Sequence, residues 1–464
     1  MSNTTNKVRP FGMRDKIGYM FGDFGNDFTF ILSSTFLMKF YTDVMGVSAG
    51  IVGLMMMVAR IVDAFTDVTM GQIADRSRPT AKGKFLPWIR RMCGPVALAS
   101  FLMYAVWFKD MPMGFKIVWM FATYLLWGSI CYTGINIPYG SMASAISPEA
   151  RDRSELSSWR TIGATLASMI IGVVLPMIVY YTDEAGNTVI SGTNMAIAGA
   201  ICSIGAVVCY LICYNLTIER VQIEKKEEKF SLIELVKTLF SSRALIGIVL
   251  AALLLLLAQL TLGGMGQYIF PNYFGSKEGV SISGFCGNIL ILVLAFFVPS
   301  LAAKFGKKEL SAFGGLLGAA FFFIAFILHT DNLYLFLVLY TIGYLGIAFF
   351  NINCWAMITD VIDDAEVRQG ERSDGTFYSV YSFARKLGQA ASSGLTGGLL
   401  TMIGYTKATA FDTEVVNGIY DIACIVPAAG FLLMALALIF VYPLGKKKVD
   451  QNIATLKARR EGKK

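Results

Sequence analysis

One apolar stretch of this chain carries Arg60, Asp63 and Asp67 at positions i, i+3 and i+7, with Thr66 beside them. On a helix these side chains share one face. An ionised side chain at the centre of a membrane helix costs about 2.5 to 3.5 kcal/mol on insertion scales, so such a face turns to a cavity or a partner. Two carboxylates a turn apart, with a hydroxyl near, offer hard oxygen ligands for a small monovalent cation, or a pair that shares a proton. Either chemistry suits ion coupling; a structural ion pair of Arg60 with one aspartate is the competing reading.

Other polar residues interrupt apolar runs in the same way. Thr133 and Asn136 precede Pro138-Tyr139-Gly140, where proline frees a backbone carbonyl; a packing kink is the plain alternative. Asn26 and Asp27 follow Asp23 by about a turn, Arg160 follows Trp159, and Tyr378, Ser382, Arg385 and Lys386 share a later segment. Asp27, Asp63 and Asp67 are balanced by Arg60, Arg160, Arg385 and Lys386 if all face one central cavity, which would then admit a solute with hydroxyls and a carboxylate. For Arg160 and the Arg385-Lys386 pair, snorkelling toward headgroups competes with ligand binding. Asp360 and Asp363, in an acidic run ending at Glu366, are candidate contacts of a cytoplasmic gate against basic loops. Trp355 is a candidate platform for a sugar ring or a packing residue. The single histidine, His329, is expected at the surface.

The elements that position these groups follow from composition. The 464 residues are 55% hydrophobic and 16% charged, with a mean hydropathy of +0.59, so much of the surface must face lipid. Each run long enough to cross a hydrocarbon core of about 30 Å must be helical, because lipid offers no partner to a free amide. Spans are expected near 18–42, 49–73, 92–108, 117–146, 157–181, 195–218, 245–268, 285–303, 310–328, 333–358, 376–400 and 419–442. The fold class is therefore all-α, a polytopic membrane protein of twelve transmembrane helices.

Lysine and arginine fill alternate loops: Lys7, Arg9, Arg14 and Lys16; Arg76 to Arg91; Arg151 and Arg153; Lys225, Lys226 and Lys229; Lys304, Lys307 and Lys308; Arg368 and Arg372; and Lys446 to Lys448. The positive-inside rule then places both termini in the cytoplasm of a cell (inner) membrane protein. Lys109, Lys116, Lys277 and Lys407 are the exceptions. The same loop cations account for the net charge of +8, so no nucleic acid is required. Eight cysteines lie scattered in apolar segments and read as packing residues, not as a disulfide or zinc framework. No cleavable leader is expected before the first span.

A polar stretch, 219–229, and the amphipathic segment 230–240 split the chain. The expected organisation is an N-terminal six-helix bundle with the cation site (1–218), a cytoplasmic linker (219–244), a C-terminal six-helix bundle (245–445) and a basic cytoplasmic tail (446–464). A short basic loop recurs after the second and eighth spans, as Gly71-Gln-Ile-Ala-Asp-Arg-Ser-Arg and Leu301-Ala-Ala-Lys-Phe-Gly-Lys-Lys, which points to internal duplication.

Asp63-Ala-Phe-Thr-Asp67 with Gly71 and Ala-Asp75-Arg76, Tyr41-Thr-Asp43-Val, Asn136-Ile-Pro-Tyr and Asp360-Val-Ile-Asp363 together resemble the glycoside-pentoside-hexuronide:cation symporter family, nearly end to end. The resemblance implies the major facilitator fold, two six-helix bundles rocking about a midplane site, with import of a small-molecule glycoside coupled to Na+, Li+ or H+. It implies that Asp63, Thr66, Asp67 and Thr133 form the cation site, Thr66 standing where an Asn is usual. It implies sugar contacts at Asp27, Asn136, Arg160 and Lys386, with Asn26 and Arg385 adjoining them and Arg60 nearby.

Asn136 and Arg385 stand where galactoside-binding members carry an acidic and an apolar residue, and Gly140 where they carry tryptophan. Both of the first two changes make the pocket more positive, and an arginine fork suits a carboxylate or sulfonate. An acidic glycoside such as a glucuronide or other hexuronide is the expected substrate, with a neutral oligosaccharide or pentoside as the alternative. A lipid or drug carrier of this fold would want a wide apolar cavity, and a channel would show flux without saturation. An enzyme is not expected, for want of a nucleophile, metal or cofactor constellation; no cofactor beyond the coupling ion and no partner chain is expected.

Overall fold

The computed structural model describes residues 9–221, 232–370 and 374–461. Lys7, the linker cations Lys225, Lys226 and Lys229, and Arg372 lie outside the described residues. Long helices dominate: α1 (Met13–Asp43), α2 (Ala49–Arg76), α3 (Leu86–Leu102), α4 (Met113–Ile146), α5 (Arg151–Val179) and α6 (Gly192–Leu216). After the short α7 (Leu232–Ser241) come α8 (Arg243–Tyr273), α9 (Lys277–Phe305), α10 (Lys307–Leu328), α11 (Leu333–Arg368), α12 (Asp374–Met402), α13 (Thr413–Val441) and the tail helix α14 (Lys446–Glu461). Ten of them are long and apolar enough to cross a bilayer. Helices α1 and α12 are as long, and they carry the polar residues of the candidate site.

Several helices begin one to two turns before the expected spans: α3 at Leu86, α5 by Arg151 and α9 at Lys277. Charged first turns depress a hydropathy window without breaking the helix. The amphipathic segment 230–240, open between a solvated connector and a surface helix in the sequence, carries α7, and the basic tail carries α14. A two-stranded pair, Tyr180–Thr182 with Thr188–Ile190, follows α5 and was not anticipated.

The chain groups into two compact units, one of 1–47, 62–179 and 190–229, the other of 48–61, 180–189 and 230–464. In the first unit α1 packs against α5 and α6, and α3 against α4 and α6. Contact is closest at Gly22, where a Cβ would fall 2.2 Å from the Tyr139 ring; only glycine lets α1 approach that ring. Glu219 accepts from the backbone amides of Lys84, Phe85 and Leu86 at 2.7, 2.8 and 2.7 Å. It thereby satisfies donors at the start of α3 that no local side chain caps. Burial pushes the Glu219 carboxyl above the usual carboxylate range, with the three amides pulling the other way.

Lys116, one of the exceptions to the loop-charge pattern, is buried and donates to the carbonyls of Met45 and Lys109 at 2.7 and 3.1 Å. Its charge serves carbonyls that follow the ends of helical segments within the unit. In the second unit α8 packs on α12 and α13, and α10 on α11 and α13. The tail helix docks on α11 through Asn452, whose amide donates to Asp364 at 3.0 Å.

Candidate functional site

Helices α2 and α4 bring together the predicted cation ligands. Asp63 is 6% exposed and Asp67 half-buried. The Thr133 hydroxyl lies 2.8 Å from Asp67 Oδ1 and 3.1 Å from the Gly128 carbonyl, so its one proton has two acceptors. Thr66 donates back to the Asp63 carbonyl at 3.3 Å, which leaves its oxygen lone pairs available. Sequence reasoning missed Ser129, whose hydroxyl donates to Asp63 Oδ1 at 2.6 Å. Within α4, residues Leu126–Tyr132 form a π-helical stretch, a local widening that often marks functional helices. Two carboxylates, three hydroxyls and a carbonyl make an all-oxygen set of the kind that hard cations prefer. Arg60 is buried on α2 one turn before Asp63.

The predicted sugar residues of the first unit also gather. Asn26 is buried; its amide nitrogen donates to Asn136 Oδ1 at 3.2 Å, and its own oxygen accepts from Tyr210 at 2.8 Å. Asn26 therefore orients Asn136, whose amide nitrogen makes no hydrogen bond among the described residues.

Arg160 pairs with Asp23 at 2.9 Å, and its guanidinium lies 5.4 Å from the centre of the Tyr139 ring. Of the four cations expected to offset Asp27, Asp63 and Asp67 together, Arg160 thus pairs with Asp23, one turn before Asp27. Tyr139 stacks on Tyr19 at 4.6 Å and donates to the Tyr19 carbonyl at 2.7 Å. Asp27 is half-buried and has no hydrogen bond or ion pair among the described residues.

In the second unit the Arg385 guanidinium lies 5.7 Å from the Trp355 ring centre and 5.8 Å from that of Tyr381. Trp355 and Tyr381 meet edge to face at 5.3 Å, and Trp355 remains 47% exposed. Arg385 has no carboxylate partner among the described residues, and Lys386 adjoins it in sequence, half-buried. One turn before Trp355, Asn351 donates to Gln259 Oε1 at 3.1 Å, a second pair that sequence reasoning did not find. Of the predicted gate residues, Asp360 is buried and accepts twice from Lys307, at 2.7 and 2.8 Å. Asp363 is half-buried, while its neighbour Asp364 pairs with Arg368 at 2.6 Å. His329 caps α10 in the left-handed conformation and meets the Tyr420 ring at a tilt, with centroids 4.3 Å apart.

Comparison with known proteins agrees with this architecture. A family model described as MFS/sugar transport protein matches residues 18–446. The symporter YjmB of Bacillus subtilis is 32% identical over 96% of this chain and 95% of its own length. The glucuronide carrier protein homolog of Escherichia coli is 30% identical over 97% and 96%. Among solved structures, a D-xylose-proton symporter superposes with a TM-score of 0.65 at 14% identity, covering 92% of this chain and 97% of that one.

Proposed function

The chain belongs to the MFS/sugar transport protein family, within it to the glycoside-pentoside-hexuronide:cation symporters, and from that premise we propose that it imports an acidic glycoside, a glucuronide or other hexuronide. It is a multi-pass membrane transporter of the major facilitator fold, a cation-coupled sugar symporter and not an enzyme. The finer reading extends to a monomer in the inner membrane with both termini cytoplasmic.

Asp63, Thr66, Asp67 and Thr133 bind Na+ or H+. Asn26, Asp27, Arg60, Asn136, Arg160, Arg385 and Lys386 serve the substrate, and Asp360 and Asp363 the gate. Coupling is linkage. A cation held by Asp63 and Asp67 fixes α2 against α4 and raises sugar affinity, and by reciprocity sugar raises cation affinity.

The observation that carries the acidic substrate is Arg385. Its guanidinium rests on aromatic faces with no carboxylate partner among the described residues, and Lys386 follows it. A buried or half-buried fork left without an anion is suited to accept one bidentately. The glucuronide carrier homolog among the relatives supports the same class.

The test is uptake of phenyl β-D-glucuronide and phenyl β-D-glucoside into membrane vesicles under imposed sodium or proton gradients. Saturable, gradient-driven accumulation of the glucuronide in preference to the glucoside is expected. Equal uptake of both, or preference for the glucoside, overturns the acidic reading in favour of a neutral glycoside.

A further inference from the structure

The contacts between α2 and α4 form a ladder. Asp63 meets Ser129 and Asp67 meets Thr133, each pair separated by 66 residues. The two carboxylates are one helical turn apart, and so are the two hydroxyls, so the helices run parallel and in register at this point. Ser129 is only 6% exposed, and its 2.6 Å contact with Asp63 is shorter than that of Thr133 with Asp67. Gly128 lies beside the same carboxylate, where a Cβ would make an ordinary 3.5 Å contact with Asp63 Oδ1.

The two rungs differ in one respect. Thr133 can hand its proton from Asp67 to the Gly128 carbonyl at 3.1 Å, which turns its lone pairs toward Asp67 without moving its oxygen. Ser129 has only the Asp63 carboxylate as acceptor among the described residues. Its hydroxyl holds that carboxylate in a fixed direction.

We propose that Ser129 is a further determinant of the cation site. It aims Asp63 so that both carboxylates and the Thr133 oxygen converge on one small monovalent cation, and it sets the size of ion they accept. Ser129 is a positioning residue, and its role rests on the reading of Asp63 and Asp67 as cation ligands. Without the hydroxyl, Asp63 Oδ1 loses the 2.6 Å contact that aims it along α4. The site then loses affinity for sodium and its discrimination against the smaller lithium.

The test uses purified full-length protein in detergent. Its thermal unfolding midpoint is followed against NaCl or LiCl, with choline chloride holding ionic strength constant. A ligand that binds only the folded form raises the midpoint with its concentration, so half-saturation is read without knowing the sugar. For Ser129→Ala the NaCl half-saturation rises about fivefold to tenfold, as for loss of one net hydrogen bond, and the sodium-to-lithium ratio moves toward lithium. Ser129→Thr restores both, while the midpoint in choline alone shifts by no more than about 2 °C in either variant. Should Ser129→Ala fail to fold, Ser129→Cys, a weak donor with a larger atom, is read the same way.

If the Ser129 variants keep wild-type half-saturation and ion ratio while Asp67→Asn loses the salt response, the proposal is overturned and the cation site stands. If Asp67→Asn responds as the wild type does, the cation site itself is misread and the proposal falls with it; if the wild type responds to neither ion, the coupling ion is the proton, Ser129 sets no ion size and the proposal is overturned.

Discussion

The two units hold their charged groups in different ways. In the first unit the ionic and amide groups of the site are clamped by directional bonds: Asp63 by Ser129, Asp67 by Thr133, Arg160 by Asp23, Asn136 by Asn26. In the second unit Arg385 is held by the faces of Trp355 and Tyr381. Hydrogen bonds and ion pairs fix an atom to within a few tenths of an ångström, and small-ion coordination demands that. A cation over a ring is held in a plane while it keeps its outward donors, and the contact tolerates sliding. Under the proposed function the first unit would meet a small ion at fixed distances, and the second a bulkier anion whose position varies.

The most severe way to break this contrast is Asp67→Asn. Removing one charged ligand forfeits an interaction of about 3 kcal/mol, so cation-driven uptake should fall on the order of 100-fold while counterflow without a gradient falls less. Uptake that still follows an imposed sodium or proton gradient refutes the coupling role. The next largest effect belongs to the second unit. Arg385→Leu should cost about 10- to 100-fold in half-saturation for a glucuronide, the worth of a charge-assisted pair, and leave the salt-dependent unfolding midpoint unchanged. An equal loss for the neutral glucoside would make Arg385 a packing residue and dissolve the contrast.

The sequence displayed the charged groups of both units because each interrupts an apolar run, and an ionised residue in lipid demands a reason. It could not show pairings, which depend on distances across helices. Asp23 and Asp27 lie one turn apart on α1, and nothing local says which of them Arg160 takes. Ser129 is a small residue of the kind that packs membrane helices; its only signal is the spacing to Thr133, which repeats that of Asp63 to Asp67.

Gln259 and Asn351 are 92 residues apart, beyond any periodicity argument. Lys116 looked like a topological exception because a lysine buried on carbonyls and a lysine in solvent are the same letter. The apolar middles of the long helices, by contrast, were legible, since hydropathy reports the solvent directly, while their charged end turns were not.

Two smaller effects sharpen the comparison, and Trp355→Leu is the larger. Loss of a cation–π contact worth about 1 kcal/mol should raise glucuronide half-saturation about fivefold, with Trp355→Phe intermediate. A leucine variant indistinguishable from wild type would mean that Arg385 is positioned by Tyr381 alone.

The smallest effect is expected at Tyr139, and it separates the two ways of holding an arginine. Arg160 also lies over a ring, 5.4 Å from the Tyr139 centre, but it keeps a 2.9 Å bond to Asp23. Tyr139→Leu removes the ring and leaves that bond, so transport should change by about twofold, the share of the cation–π contact that an ion pair does not replace. Tyr139→Phe keeps the ring and loses only the hydroxyl donated to the Tyr19 carbonyl, so transport should match wild type. The informative quantity is the ratio of the two leucine effects, measured with the same glucuronide in the same vesicles. If Tyr139→Leu costs as much as Trp355→Leu, Asp23 does not hold Arg160 in the working protein, and the two units position their arginines alike.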